Sequence, residues 1–214
     1  MLVAILKIAF GFTLLIGIHE LGHAIAARLC GVPVKRFSIG IGPGLKFKNV
    51  PIVNELVLSP LVIGGYVMLD DEALLAKSFW QRNFVYVSGM LANVLMSVTL
   101  LILLGTNILW AIGVSFYVWL AGWPMIVQSL TSGAVTPQDA ISGPIGIGKM
   151  MTGEQYPYWM VLAILNLAIA NFNLLPIPPF DGGQMFGSVL EKLFGKKRAG
   201  AAMKVLQFVG FVFI

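Results

Sequence analysis

The chain has 214 residues, 58% of them hydrophobic and 11% charged, with a formal net charge of +5. A soluble domain carries about 25% charged residues, so the composition excludes an ordinary soluble globule and points to a single membrane-embedded domain, 1–214. The lone cysteine, Cys30, excludes an internal disulfide, and no nucleic-acid partner is expected.

Residues 2–29 read as a first hydrophobic helix, longer than the roughly 20 residues that cross a hydrocarbon core. It lacks a basic leading segment and carries a polar motif of its own, so we expect it to be retained rather than cleaved. That motif is His19-Glu20-Leu21-Gly22-His23, and these are the only two histidines in the chain. Four residues apart on a helix, they share one face, where two neutral imidazoles can fill two positions of a tetrahedral zinc site. Glu20 stands beside them as a carboxylate able to take a proton from a metal-activated water. Ionisable groups in a membrane span are costly and mark function. Cys30 reads as a small apolar residue rather than a thiolate ligand.

Residues 34–69 change character, with glycines and prolines punctuating short β-branched runs. Val34–Ile39, Leu45–Val50, Glu55–Leu58 and Tyr66–Leu69 read as short strands or hairpins. The apolar stretch around Gly64 and Gly65 is too short to span. Non-helical backbone at membrane depth is tolerated only in protein or beside a wet cavity. A small sheet dipping toward the metal meets that condition, and its free edge can take an extended peptide. Residues 70–82 read as a polar linker.

Residues 83–105 are expected to form a second spanning helix. Asn93 lies at a depth similar to the histidine motif, suited either to an interhelical hydrogen bond or to the substrate. Residues 108–130 are apolar but interrupted at Gly122-Trp123-Pro124; we expect a re-entrant or interfacial helix there. Residues 157–175 read as another span. It ends in Asn173-Leu-Leu-Pro-Ile-Pro-Pro-Phe-Asp181-Gly-Gly, where prolines break the helix. An unpaired carboxylate among freed backbone groups is expensive, and a bound cation neutralises it, so Asp181 is the expected third ligand. The following glycines allow close backbone approach. A short helix over 183–194 precedes a last apolar helix, 199–214. The expected fold is an all-α polytopic membrane protein of about four transmembrane helices, with a small membrane-associated β-sheet or hairpin and the re-entrant or interfacial helix.

If the histidines and Asp181 meet at one metal, residues 28–82 and 192–198 share its side, and eleven of the fourteen Lys and Arg fall there. The positive-inside rule makes that side cytoplasmic and the N-terminus external.

The chain resembles the site-2 protease family of intramembrane zinc metalloproteases, in its RseP-like bacterial branch. The resemblance rests on His19–His23, Phe37–Pro43, Gly64–Val67, Ser142–Ile145 and Asn173 through Gly183. It implies a bacterial inner-membrane enzyme with Zn2+ held by His19, His23 and Asp181, and Glu20 as catalytic base. It implies that Asn173 contacts the substrate backbone, with Asn93 as a further candidate, and that the strand at Gly64 and Gly65 clamps an extended substrate. Implied substrates are single-span transmembrane proteins or peptides of the anti-sigma-factor or remnant-signal-peptide type. Two features depart from the branch. Gly89-Met90-Leu-Ala-Asn93 lacks the Gly-Pro that precedes the Asn, and residues 106–141 are too few for a PDZ domain, so size filtering by one is not expected. Two rivals share the ligands without needing Glu20 as a base: a metal-transporting or metal-sensing membrane protein, and a catalytically silent binder of transmembrane segments.

Overall fold

A computed structural model describes residues 2–132, 151–152 and 156–213. Ser142–Ile145 lies outside the described residues. The elements run α1 (Leu2–Leu29), β1 (Val34–Ile41), β2 (Leu45–Val50), β3 (Val53–Leu58), β4 (Leu61–Leu69), α2 (Asp71–Leu75), α3 (Phe79–Leu103), α4 (Ile108–Thr131), α5 (Tyr158–Asn173), α6 (Asp181–Phe194) and α7 (Lys196–Phe213).

Among the described residues two helices, α1 and α3, are long and apolar enough to cross a membrane. Only 17% of the most apolar window of α1 is buried inside the protein. Its Leu2, Val3, Ile5 and Phe10 are more than half exposed, which calls for an apolar surrounding rather than water. α5 has 16 residues and falls short of the usual span. Of the four expected crossings, two helices meet the criterion among the described residues, and Ile108–Pro124 and Tyr158–Asn173 are shorter apolar helices.

The β-region forms the small sheet expected there, four-stranded and mixed, in the order β2-β3-β1-β4. The β2–β3 hairpin folds back so that β3 lies parallel to β1, with Phe37 opposite Leu56. Arg36 of β1 ties to Glu55 of β3 by an ion pair across this junction. β4 closes on the other flank of β1, antiparallel, with Phe37 opposite Val67. β4 is thus an edge strand, and it runs against α1. One core cluster joins Ala24, Ala27, Val34, Phe37, Val53, Leu74 and Val85, which packs the end of α1, the sheet, α2 and the start of α3 together.

α3 begins at Phe79, four residues earlier than expected. Ser78 and Gln81 form a reciprocal capping box at its start. The charge at Arg82, which suggested a linker, is buried and answered by Glu191 on α6, whose Oε2 accepts from Nη2 at 2.7 Å. α4 continues through Pro124 without breaking. It presents Ala111, Ser115 and Trp119, four residues apart on one face, to its neighbours, and all three are buried. Ala111 clusters with Leu100 and Leu101, while Trp119 clusters with Met90 and Val94. The helix therefore runs back antiparallel to α3 and inserts among the others. One face of the helix expected over 108–130 thus packs against α3, while Ile108, Leu109, Trp110, Tyr117 and Leu120 on its other faces stay exposed.

α1 and α3 approach closely because Gly22 has no side chain. A Cβ there would stand 2.4 Å from the Ser88 carbonyl oxygen, whereas one at Gly17 would meet nothing within 4 Å. Gly17→Ala is expected to leave the thermal midpoint in detergent unchanged or raised, as for an open helix position. Gly22→Ala is expected to lower it, by an overpacking cost of about 1–3 kcal/mol. Equal effects of the two substitutions would contradict this packing.

Candidate metal centre

His19 and His23 lie one turn apart on α1, both buried. Asp181 is the first residue of α6, brought to them by the broken segment after α5. His19 Nε2 lies 2.9 Å from Asp181 Oδ2, His23 Nε2 lies 3.2 Å from the same oxygen, and the two Nε2 atoms are 3.1 Å apart. The three residues are the metal-ligand cluster found among the described residues.

The other ring nitrogens decide what the Nε2 atoms can do. His19 Nδ1 faces Asn93 Oδ1 at 2.7 Å. Asn93 Nδ2 donates to the Leu15 carbonyl at 3.0 Å and to Asn166 Oδ1 at 2.7 Å, which assigns the oxygen of its amide to His19. His23 Nδ1 faces the Val85 carbonyl at 2.7 Å. Both partners are acceptors, so each Nδ1 carries the proton and each Nε2 presents a lone pair. Two lone pairs and a carboxylate oxygen then face one another, an arrangement suited to a cation between them. Ligand atoms about 2.0–2.1 Å from a tetrahedral zinc stand about 3.3 Å apart. The observed separations of 2.9 to 3.2 Å come close to that spacing. The donor set, two imidazole nitrogens and one carboxylate oxygen, fits zinc with a position left for water or substrate.

Close packing gives the ligands their room. A Cβ at Gly89 of α3 would stand 2.4 Å from His23 Nε2 and 2.8 Å from His19 Nε2. The same logic holds beneath Asp181: a Cβ at Gly182 would lie 2.4 Å from the Leu174 carbonyl oxygen, and one at Gly183 2.4 Å from Pro178 N. The expected role of that glycine pair, close backbone approach, matches this geometry.

Glu20 projects from α1 toward the sheet, and its Oε2 accepts from the Val67 N–H at 2.9 Å. Val67 sits on the free edge of β4, in the strand that also carries Gly64 and Gly65. A Cβ at Gly65 would press within 2.6 Å of the Ser38 carbonyl oxygen, and one at Gly64 would meet Ile41 at 3.0 Å.

Asn93 departs from the substrate role expected for it. Its side chain is fully buried and spends its amide on His19, Leu15 and Asn166, so it orients the His19 ring. Asn173 is not drawn into the centre by any hydrogen bond; its Nδ2 donates to the Ile169 carbonyl one turn back on α5 at 3.0 Å. Asn166, Gly89 and the Val85 carbonyl belong to the site and were not singled out for it from sequence. The signal for Asn166 was a polar residue in an otherwise apolar helix; Gly89 became meaningful only once α1 and α3 were known to touch.

A profile of peptidase family M50 matches residues 7–214. The chain belongs to peptidase family M50. The resemblance to the site-2 proteases therefore holds along nearly its whole length. Three curated relatives show what the chain is similar to. The chain is 31% identical over 166 residues to the regulator of sigma E protease of Haemophilus influenzae, covering 71% of this chain and 34% of that protein. It is 28% identical over 184 residues to the regulator of sigma-E protease RseP of Escherichia coli, covering 79% and 38%. It is 39% identical over 102 residues to a candidate zinc metalloprotease of Xylella fastidiosa, covering 42% and 23%. The chain thus spans less than two fifths of the length of each.

Partners that orient metal-bound histidines typically change affinity by about 10- to 100-fold. Asn93→Leu is expected to weaken zinc binding by that factor in a chelator-competition titration, and Asn166→Leu to weaken it less, in the same direction. Gly89→Ala is expected to abolish stoichiometric zinc. Unchanged affinity in all three variants would contradict the assigned geometry.

Proposed function

We propose that this protein is a zinc-dependent endopeptidase that cuts single-span membrane proteins within their transmembrane segments. The observation that carries the reading is the convergence of three acceptor atoms, His19 Nε2, His23 Nε2 and Asp181 Oδ2, next to a carboxylate, Glu20, that is hydrogen-bonded to a strand edge. Zinc bound there supplies a Lewis acid for the scissile carbonyl and brings the pKa of water toward ~7.

Glu20 accepts the proton of the attacking water as its oxygen bonds to the carbonyl carbon, and delivers that proton to the amine as the C–N bond breaks. A carbonyl inside a helix is already hydrogen-bonded, so the substrate must be extended locally before it reacts. Extended backbone in a bilayer leaves groups unpaired, each costing several kcal/mol. The free edge of β4, adjacent to Glu20, supplies main-chain partners for it, with Gly64 and Gly65 letting β4 pack closely on β1 behind that edge and Asn173 contacting the substrate backbone. This accounts for a sheet packed against the metal-bearing helix.

The substrates are single-span regulators of the anti-sigma-factor type or remnant signal peptides, as the resemblance to the site-2 proteases implies. The protein lies in the bacterial cytoplasmic membrane with its active site toward the cytoplasm and its N-terminus external, as the clustering of Lys and Arg supports.

Glu20→Gln preserves an acceptor for the Val67 N–H and removes the base. In liposomes with a single-span test substrate it is expected to retain zinc and to lose cleavage by at least ~10²–10⁴-fold. Chelation of the parent is expected to stop cleavage, and restored zinc to recover it. Zinc binding by the parent with no cleavage of several substrates would move the protein to metal transport or sensing; undiminished cleavage by Glu20→Gln would remove Glu20 from the mechanism.

A further inference from the structure

The inner end of α3 holds a second cluster of charge that the metal centre does not use. Arg82 is 7% exposed. Its Nη2 donates to Glu191 Oε2, but its Nε is buried without a hydrogen-bond partner among the described residues. Arg82 lines a cleft of about 320 Å³ where α3, α6 and the start of α7 meet, and Lys77, Lys192 and Lys196 line it too. Glu191 is the single carboxylate there, and Lys196 Nζ is 3.9 Å from it. Four cations face one anion. With the cations in excess, a phosphate oxygen is the acceptor that arginine and lysine together favour.

The rim of the cleft says which phosphate. Leu75 is 55% exposed, Trp80 74% and Leu193 68%. Lys192 Nζ is held 4.4 Å from the Phe79 ring centroid and 5.4 Å from that of Trp80. Tryptophan beside lysine at the end of an apolar helix is the signature of a membrane–water boundary. A soluble anion gains nothing from exposed leucine and tryptophan, whereas a phospholipid engages the cations with its head group and the rim with its acyl chains. We propose that this cleft binds the head group of an anionic phospholipid of the cytoplasmic leaflet. The site lies on α6, the helix that begins with Asp181. The proposal rests on α3 meeting a membrane and is independent of proteolysis.

The test is fluorescence quenching of Trp80, isolated as the difference between the parent and Trp80→Phe, in phosphatidylcholine bilayers. Brominated phosphatidylglycerol or brominated phosphatidylcholine is added at the same mole fraction. Stronger quenching by the phosphatidylglycerol is expected. Each of Lys77→Gln, Lys192→Gln and Lys196→Gln is expected to reduce that preference about fivefold, from the contribution of one basic residue near an anionic surface. Lys46→Gln and Lys48→Gln, on β2, are expected to leave it unchanged. Equal quenching by the two lipids, or equal loss in the β2 variants, would overturn the proposal. Loss of the preference on adding millimolar inorganic phosphate would assign the cleft to a soluble anion and overturn the lipid assignment. None of these readouts depends on cleavage.

Discussion

Two imidazoles and two carboxylates sit on and against a helix whose other faces are apolar, and much of the structure answers that one fact. Burying such groups unpaired costs several kcal/mol each, so every member of the set has a defined partner. His23 is tied to the Val85 carbonyl, His19 to Asn93, and Asn93 in turn to Asn166 on α5. Three helices are thereby joined by one polar chain that ends on a metal ligand. Such a network holds its geometry when fully satisfied, and this one fixes both the tautomers and the ring orientations. Gly22 and Gly89 let α3 come close enough to take part.

The sheet answers the same problem on the other side of α1. Glu20 needs a donor, and the N–H of Val67 on the open edge of β4 provides one. That contact sets the Glu20 carboxylate against the edge strand of the sheet, the juxtaposition on which the proposed peptidase reading rests. Edge strands usually invite unwanted pairing; here Glu20 of α1 takes one of the free N–H groups on the edge of β4.

What the sequence made legible was local. His19, Glu20 and His23 follow from a four-residue spacing on a helix, and Asp181 from the expense of a carboxylate among prolines. Asn93 could be seen to be polar at the right depth, but depth carries no direction, and its amide points at His19 rather than outward. Asn166 shared that signal and went unread. The parallel pairing of β1 with β3 joins segments about 19 residues apart in register, which no alternation pattern encodes. The start of α3 was obscured because Arg82 looked solvated, and its partner Glu191 lies 109 residues later. Gly122-Trp123-Pro124 suggested an interruption, yet α4 continues through it, with Trp123 Nε1 donating to the Asn171 carbonyl of α5 at 2.8 Å.

The central claim is that two Nε2 atoms and one Asp181 oxygen hold a single zinc ion. X-ray absorption at the zinc edge of the purified protein tests it most directly. The account predicts one zinc per chain, with scattering from two imidazoles and the remaining positions filled by oxygen. A zinc–sulfur distance of about 2.3 Å would place Cys30 in the coordination sphere and contradict it, as would the absence of imidazole scattering.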